Sequence, residues 1–354
     1  DLNTAVAQSH YKVGQVHYSK EYFTSFDDDV AIIRIKASKK GTLSMAIEMD
    51  REERFQTHVM DKALIMEGQL NNGTNGNGMR YKVKVVPKII DGELISKENS
   101  LSIVNATEVI LFISAATDFK NTDFNGKIEK ELHRAMSKTY KKQKENHIRN
   151  YSSLFDRVKV QLGSTDRSDL TSDRRLKNFV KDHSQDDALA MLFFQFGRYL
   201  SISSTRPGLL PPNLQGLWAK QVQTPWNGDY HLDVNVQMNH WPLEVVNLSE
   251  LNLPLKELVA NMVPFGEKTA KAYYDSDGWV AHVITNIWGY TSPGEDASWG
   301  ISNAGSGWLC NNLWQHYKFT LDQDYLKDIY PILKGVAQFY LDMLIKDPQT
   351  GWWV

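Results

Sequence analysis

With one cysteine in 354 residues, Cys310, no disulfide can form within the chain. Set beside Trp308, Leu309 and Leu313, that residue is expected to be a small buried hydrophobe and not a nucleophile. An excess of one charge is also missing: 40 basic against 42 acidic side chains leave a formal net charge of −2, which gives no bias toward nucleic acid or a membrane surface. No apolar run approaches the roughly 20 residues that a membrane-crossing helix needs. The ten histidines are scattered, and no H-E-x-x-H or Cys/His spacing occurs, so no metal site is supported. Asp27, Asp28 and Asp29 are expected to form a turn between strands. No phosphate-cradling glycine loop is present either, and chemistry without a cofactor is expected.

Tryptophan is absent from the first 217 residues, yet ten lie between Trp218 and Trp353. The front of that stretch, RPGLLPPNLQGLWAKQVQTPWNGDYHLDVNVQMNHWPLE at 206 to 244, mixes Trp218, Trp226 and Trp241 with Gln215, Asn227, Asp229, His231, Asp233, Asn235, Gln237 and Asn239. Flat apolar faces beside many hydrogen-bonding groups suit the two sides of a sugar ring. The expected partner is therefore an oligosaccharide or glycan.

Organisation follows from periodicity. Alternation begins at Tyr11, Val13 and Gln15, and short alternating runs recur at 30 to 37 (VAIIRIKA), 42 to 48 (TLSMAIE), 80 to 87 (RYKVKVVP) and 107 to 115 (TEVILFISA). Turn-rich pieces separate them, which predicts an antiparallel β-sandwich over 1 to 120. The Asn/Gly run NNGTNGNG at 71 to 78 is a flexible hairpin loop or one that reaches toward a neighbouring site.

From 125 to 158 the period turns helical, with Ile128, Leu132, Met136, Tyr140, Ile148, Tyr151 and Phe155, and a helical linker is expected over 121 to 183. The cluster Lys138, Lys141, Lys142 and Lys144 has Glu129, Glu131 and Glu145 interspersed along the same stretch and is taken as a solvated helix face. A strand-like VKVQL follows at 158 to 162, then Ser184 as an N-cap with Asp187 three residues on. Further helical patterns fall near 232 to 247, 254 to 274, 305 to 320 and 324 to 346, so 184 to 354 is expected to be α-helical with long loops that carry the site.

RPGLLPPNLQGLW, PWNGDYHLDVNVQMNHWPLEVVNLSEL, GWVAHVITNIWG and GSGWLCNNLWQHY together resemble glycoside hydrolase family 95, whose members include α-L-fucosidases and some α-L-galactosidases. The resemblance covers essentially the whole chain in order. It implies an N-terminal β-supersandwich, a helical linker and an (α/α) six-hairpin barrel, here cut short at its C-terminal end. It also implies inverting hydrolysis of a terminal α-L-sugar, in which an acid protonates the leaving oxygen while a second group activates water on the other face of the ring.

In typical members two asparagines of an H-x-N-x-N pattern hold that water. The matching residues here are His231, Asp233 and Asn235, so aspartate replaces the first asparagine. A carboxylate can itself take the proton at neutral pH, which makes Asp233 a candidate base; it is alternatively a cap near a helix start. By the same resemblance His231 contacts the sugar and discriminates fucose from galactose. His282 and Asn286 are candidates to bond sugar hydroxyls and Trp288 to supply a stacking face, with a buried, satisfied histidine as the other reading of His282. Of Trp288, Trp299 and Trp308, at least one is expected in the core. Gln215, Trp218 and Trp226 are expected to build one wall of the pocket.

The resemblance places the general acid in a loop beyond Trp353, and the N-terminus enters strand-like alternation with no basic or apolar leader, so both ends are expected to mark a fragment of a longer enzyme or a mature chain only partly covered. Glu295 and Asp296 are taken as a solvated turn, and Glu244 and Glu250 as helix-surface or terminus residues. Two alternatives stay open: a glycoside phosphorylase of similar architecture, and a sugar-binding protein without turnover. A secreted or periplasmic location is expected from the family.

Overall fold

The computed structural model describes residues 1–163, 165, 167–182, 185–294 and 296–354. The chain divides into two compact units, 1 to 156 and 157 to 354.

The first unit is an antiparallel sandwich. Ten strands run in order as β1 (Ala7–Val13), β2 (Val16–Ser25), β3 (Val30–Ala37), β4 (Leu43–Ile47), β5 (Gln56–Met60), β6 (Ala63–Gln69), β7 (Arg80–Ile90), β8 (Glu93–Ser96), β9 (Leu101–Ala106) and β10 (Glu108–Thr117). They form a seven-stranded sheet, β1-β2-β3-β10-β7-β6-β5, and a three-stranded sheet, β4-β9-β8. Strand β10 shows why both faces of the larger sheet are covered. Its alternate residues Val109 and Leu111 join Leu43, Ile47, Leu101 and Ile103 of the smaller sheet, while Ile110 and Phe112 pack with Ile128, Leu132 and Ala135.

Those last three lie on α1 (Phe124–Met136), which is followed by α2 (Tyr140–Phe155). Asp123 caps α1 by accepting the Gly126 N–H, and Thr139 caps α2 by accepting that of Lys142. The Asp27 to Asp29 turn joins β2 to β3 as expected. Its Asp28 is fully buried and pairs with Arg134 and Lys138. Lys138 and Lys144 therefore do not belong to a solvated face, since Lys144 also reaches Glu21. The Asn/Gly run connects β6 to β7 as a hairpin loop, in which Asn72 Oδ1 accepts the N–H groups of Thr74, Asn75 and Gly76.

The second unit is helical: α3 (Ser172–Asp182), α4 (Asp187–Ser204), α5 (Asn235–His240), α6 (Leu253–Tyr274), α7 (Ala297–Gly300), α8 (Gly305–Thr320) and α9 (Gln323–Met343), with a two-stranded ribbon of β11 (Tyr230–His231) and β12 (Ile284–Thr285). The expected strand at 158 to 162 does not form. Val158 O instead accepts side-chain bonds from Gln195 and Arg198 of α4. Ser184 lies outside the described residues, and the cap of α4 is Asp186, whose side chain accepts the Leu189 N–H. The helical pattern near 232 to 247 shrinks to α5, followed by turns.

The core of this unit gathers Leu232, Val236, Leu255, Val259, Met262, Leu309, Leu313, Ile329 and Val336 around Trp279. Trp279 is 0% exposed and donates Nε1–H to Ile332 O at 2.9 Å. Gly266 of α6 and Gly335 of α9 let the two helices close on its ring: a Cβ on either would meet the indole at 2.9 and 2.8 Å. The tryptophan that anchors the core is thus Trp279, whereas Trp288 and Trp299 are exposed. Cys310 is buried in the same core, and burial pushes its thiol up to about 12, in keeping with a hydrophobe.

Candidate active site

The long segment between α4 and α5 has little regular structure, so its side-chain amides hold it in shape. Tyr230 Oη donates to Pro211 O at 2.8 Å and Asn239 Nδ2 to Asn213 O at 2.9 Å. Asn213 Nδ2 donates to Gly228 O at 2.8 Å, and Gln215 Nε2 to Pro225 O at 2.9 Å. Gln237, fully buried, donates to Leu232 O at 2.6 Å, and Asn227 accepts from Gln223. Much of the polar run that suggested sugar binding therefore stitches backbone. Asp229, His231, Asp233 and Asn235 are left over.

The bonds from Asn213 and Gln215 pin a tight turn at 224 to 229. Within it Trp226, Asn227 and Gly228 take positive φ of 51°, 56° and 68°. A left-handed tryptophan costs on the order of 1–3 kcal/mol and persists only where its surroundings impose it. The result is a ring 64% exposed and standing edge-on to His231, with centroids 6.4 Å apart. Gln215, Trp218 and Pro225 line an adjoining groove.

From this turn the chain enters β11. Tyr230 pairs with Thr285 and His231 with Ile284, and Leu232 N–H donates to Val283 O at 2.7 Å. Tyr230 and Leu232 are buried while Asp229 and His231 are partly exposed, the alternation of a strand with one face in the core. Burial lowers the His231 pKa, with a backbone contact from Trp226 acting the other way, which favours neutral imidazole. Its Nε2 is buried without a hydrogen-bond partner.

Asp233 follows, exposed, and Asn235 opens α5. The capping reading of Asp233 fails, because the N-cap of α5 is Val234 and no side chain caps the helix. The sequence placed Asp229 among the polar groups of this segment but gave it no role of its own. Its carboxyl is half-buried, and desolvation raises its pKa. Its offset of two residues from His231 in an extended run was the signal that could have found it.

The 282 to 288 candidates separate. His282 is 0% exposed, with Nε2 2.6 Å from Tyr274 Oη and Nδ1 2.7 Å from Thr291 O. Both nitrogens are spent inside the protein, so the expectation that it bonds a sugar hydroxyl is corrected to its other reading, a buried, satisfied histidine. Asn286 Oδ1 accepts the Trp288 and Tyr290 N–H groups and so shapes the loop that presents Trp288, 60% exposed. Glu295 lies outside the described residues. Asp296 caps α7 through Ser298, whose bonds lower its pKa.

Glu244 is not a surface residue. Its carboxylate is 7% exposed and lies 2.6 Å from His316 Nδ1, and it accepts from Ser249 Oγ and Asn252 Nδ2, each at 2.6 Å. Glu250 pairs with Arg157 at 2.8 Å. Among the described residues no group of three or more His, Cys, Asp or Glu side chains could hold a metal, and no helix is long and apolar enough to cross a membrane.

The segment thus carries an exposed indole, Trp226, against the imidazole of His231, with the exposed Asp233 two residues further along the chain, side chains suited to sugar chemistry. Comparison with known proteins points the same way. Residues 1–122 match the N-terminal domain of glycosyl hydrolase family 65. The chain is 34% identical to "Alpha-L-fucosidase 2" of Arabidopsis thaliana, covering 98% of this chain and 45% of that protein. It is 31% identical to "Probable alpha-fucosidase A" of Aspergillus niger, covering 98% and 46% respectively. It thus spans a little under half the length of these relatives. A solved structure titled "Putative kojibiose phosphorylase from human microbiome" shares the fold, with a TM-score of 0.62 over 98% of this chain and 46% of that one at 11% identity. Residues 139–354, more than half of the chain, match the glycosyl hydrolase family 95 catalytic domain, and the chain belongs to that family.

Proposed function

We propose that the natural full-length protein is an exo-acting glycosidase that releases a terminal α-L-fucose, or the related α-L-galactose, with inversion at the anomeric carbon. The observation that carries this reading is the exposed Asp233 carboxylate, free of any capping bond, two residues beyond a His231 that faces Trp226. Family membership and the names of the relatives support the substrate class.

In this reading Asp233 takes a proton from water, and the water oxygen bonds to the anomeric carbon on the face opposite the glycosidic oxygen. The anomeric C–O bond breaks as a carboxylic acid on the leaving-group side gives its proton to the departing oxygen. Asn235 orients the water, His231 contacts the sugar, and Trp226 and Trp288 offer apolar faces to it. Asn286 keeps its amide NH2 toward a hydroxyl, and Gln215 acts through the turn that carries Trp226.

The test is an NMR time course of the full-length protein with an α-L-fucosyl oligosaccharide and its α-L-galactosyl counterpart. The β-anomer is expected first. First release of the α-anomer would overturn inversion, and no release of either sugar would overturn the activity.

A further inference from the structure

Asp229 is a carboxylate without a visible task. It is half-buried, and among the described residues no hydrogen bond or ion pair reaches its side chain. Partly withdrawing a carboxylate from water without giving it a donor carries a cost, and its pKa is raised by desolvation alone. The buried carboxylates of this protein are paired inside it, Glu244 with His316, Ser249 and Asn252 and Asp28 with Arg134 and Lys138, whereas Asp229 keeps its oxygens open to a ligand from solvent.

Position suggests what the missing donor is. The backbone at Asp229 is extended, with φ −72° and ψ 165°, and runs straight into β11. Side chains two apart in an extended run share a side, so Asp229 and His231 lie together while Tyr230 between them turns inward to Pro211 O. His231 Nε2 is itself buried and unpartnered. A solvent-reachable carboxylate and a buried, unpartnered imidazole nitrogen on one side of a strand, beside the Trp226 ring, fit one ligand that brings adjacent hydroxyls and an apolar face.

We infer that Asp229 is a substrate-binding residue whose carboxylate accepts a ring hydroxyl of the terminal sugar, next to the position contacted by His231. This inference rests on the proposed glycosidase reading. It also gives the partial burial of Asp229 a purpose, since a site residue kept partly desolvated trades stability for affinity. No proton transfer to or from the sugar is required.

The experiment is calorimetric titration of the full-length protein with L-fucose and with its 2-, 3- and 4-deoxy analogues, in wild type, Asp229→Asn and Asp229→Ala. Wild type is expected to bind L-fucose, and both variants to bind it about tenfold to a hundredfold more weakly, the range for a hydrogen bond to a charged group. For one deoxy sugar the difference between wild type and variants is expected to vanish, which identifies the hydroxyl. Asp229→Asn is also expected to melt no lower than wild type, because the amide is cheaper to bury.

Equal weakening across all four sugars, or a lowered melting temperature with no sugar selectivity, would make Asp229 structural and overturn the inference. Unchanged affinity in both variants would do the same while leaving the glycosidase reading intact. If wild type binds neither L-fucose nor the analogues, the glycosidase reading falls and the inference with it.

Discussion

The indole of Trp226 meets the imidazole of His231 edge-on, with ring planes at 84° and centroids 6.4 Å apart. The contact exists because a left-handed turn throws Trp226 outward while strand pairing holds His231 in place. Trp226→Ala is expected to lower kcat/KM toward α-L-fucosyl substrates about tenfold, from the loss of a sugar-stacking face and an aromatic pair worth about 0.5–1.5 kcal/mol. The ring is 64% exposed, so the melting temperature is expected to stay near that of wild type. Steady-state kinetics with unchanged kcat/KM would remove Trp226 from the site.

Asp233→Ala is expected to cut kcat by about a hundredfold to ten-thousandfold, the contribution of a positioned base. Its effect on stability is expected to stay below about 0.5 kcal/mol, because the side chain is exposed and caps nothing. Asp233→Asn restores the residue typical of the family and is expected to lose nearly as much if the carboxylate itself takes the proton. Near-normal turnover in Asp233→Ala would end the base assignment.

Glu244→Ala leaves His316 Nδ1, Ser249 and Asn252 without their shared acceptor. Breaking a buried pair of this kind is expected to cost about 3 kcal/mol. The half-exposed Glu250 to Arg157 bridge is expected to cost less than about 1 kcal/mol when Glu250 is replaced by alanine. Urea unfolding of both variants checks the contrast, and equal losses would contradict it.

His240 is buried in the last turn of α5 with Nδ1 2.7 Å from Val236 O, and burial pushes its pKa down to about 4. Below the unfolded value of 6.5 the unfolded chain takes up a proton that the folded one refuses. The stability from this residue is therefore complete above about pH 6.5 and is lost as pH falls toward about 4, up to roughly 3 kcal/mol in all. Urea midpoints measured from about pH 7 to about pH 4.5 are expected to fall less steeply in His240→Gln. Parallel curves for variant and wild type would contradict this.

Periodicity made much of the architecture legible. The runs at 30 to 37, 42 to 48, 80 to 87 and 107 to 115 appear as β3, β4, β7 and β10, and those at 254 to 274, 305 to 320 and 324 to 346 as α6, α8 and α9. VKVQL at 158 to 162 misled because strand-like residues need a pairing neighbour, and Val158 meets side chains of α4 instead. Glu244 misled for a related reason. Its donors come from 5, 8 and 72 residues away, and the farthest of these is invisible to any local pattern.

The site divides along the same line. The tryptophans and polar groups were named by residue type, since the chemistry of a carboxylate, an imidazole and an indole is a property of the side chain wherever it sits, and the roles of His231, Asp233 and Asn235 by resemblance to the family's pattern. Whether each is available to a ligand is not. His282 and His231 carry the same ring, yet the first has both nitrogens occupied and the second keeps Nε2 unpartnered. Trp279 and Trp288 likewise differ only in their surroundings: glycines on α6 and α9 admit one to the core, and a loop built on Asn286 holds the other in solvent. Burial and hydrogen bonding arise from residues far apart in the chain, so they are set when the elements pack and not before.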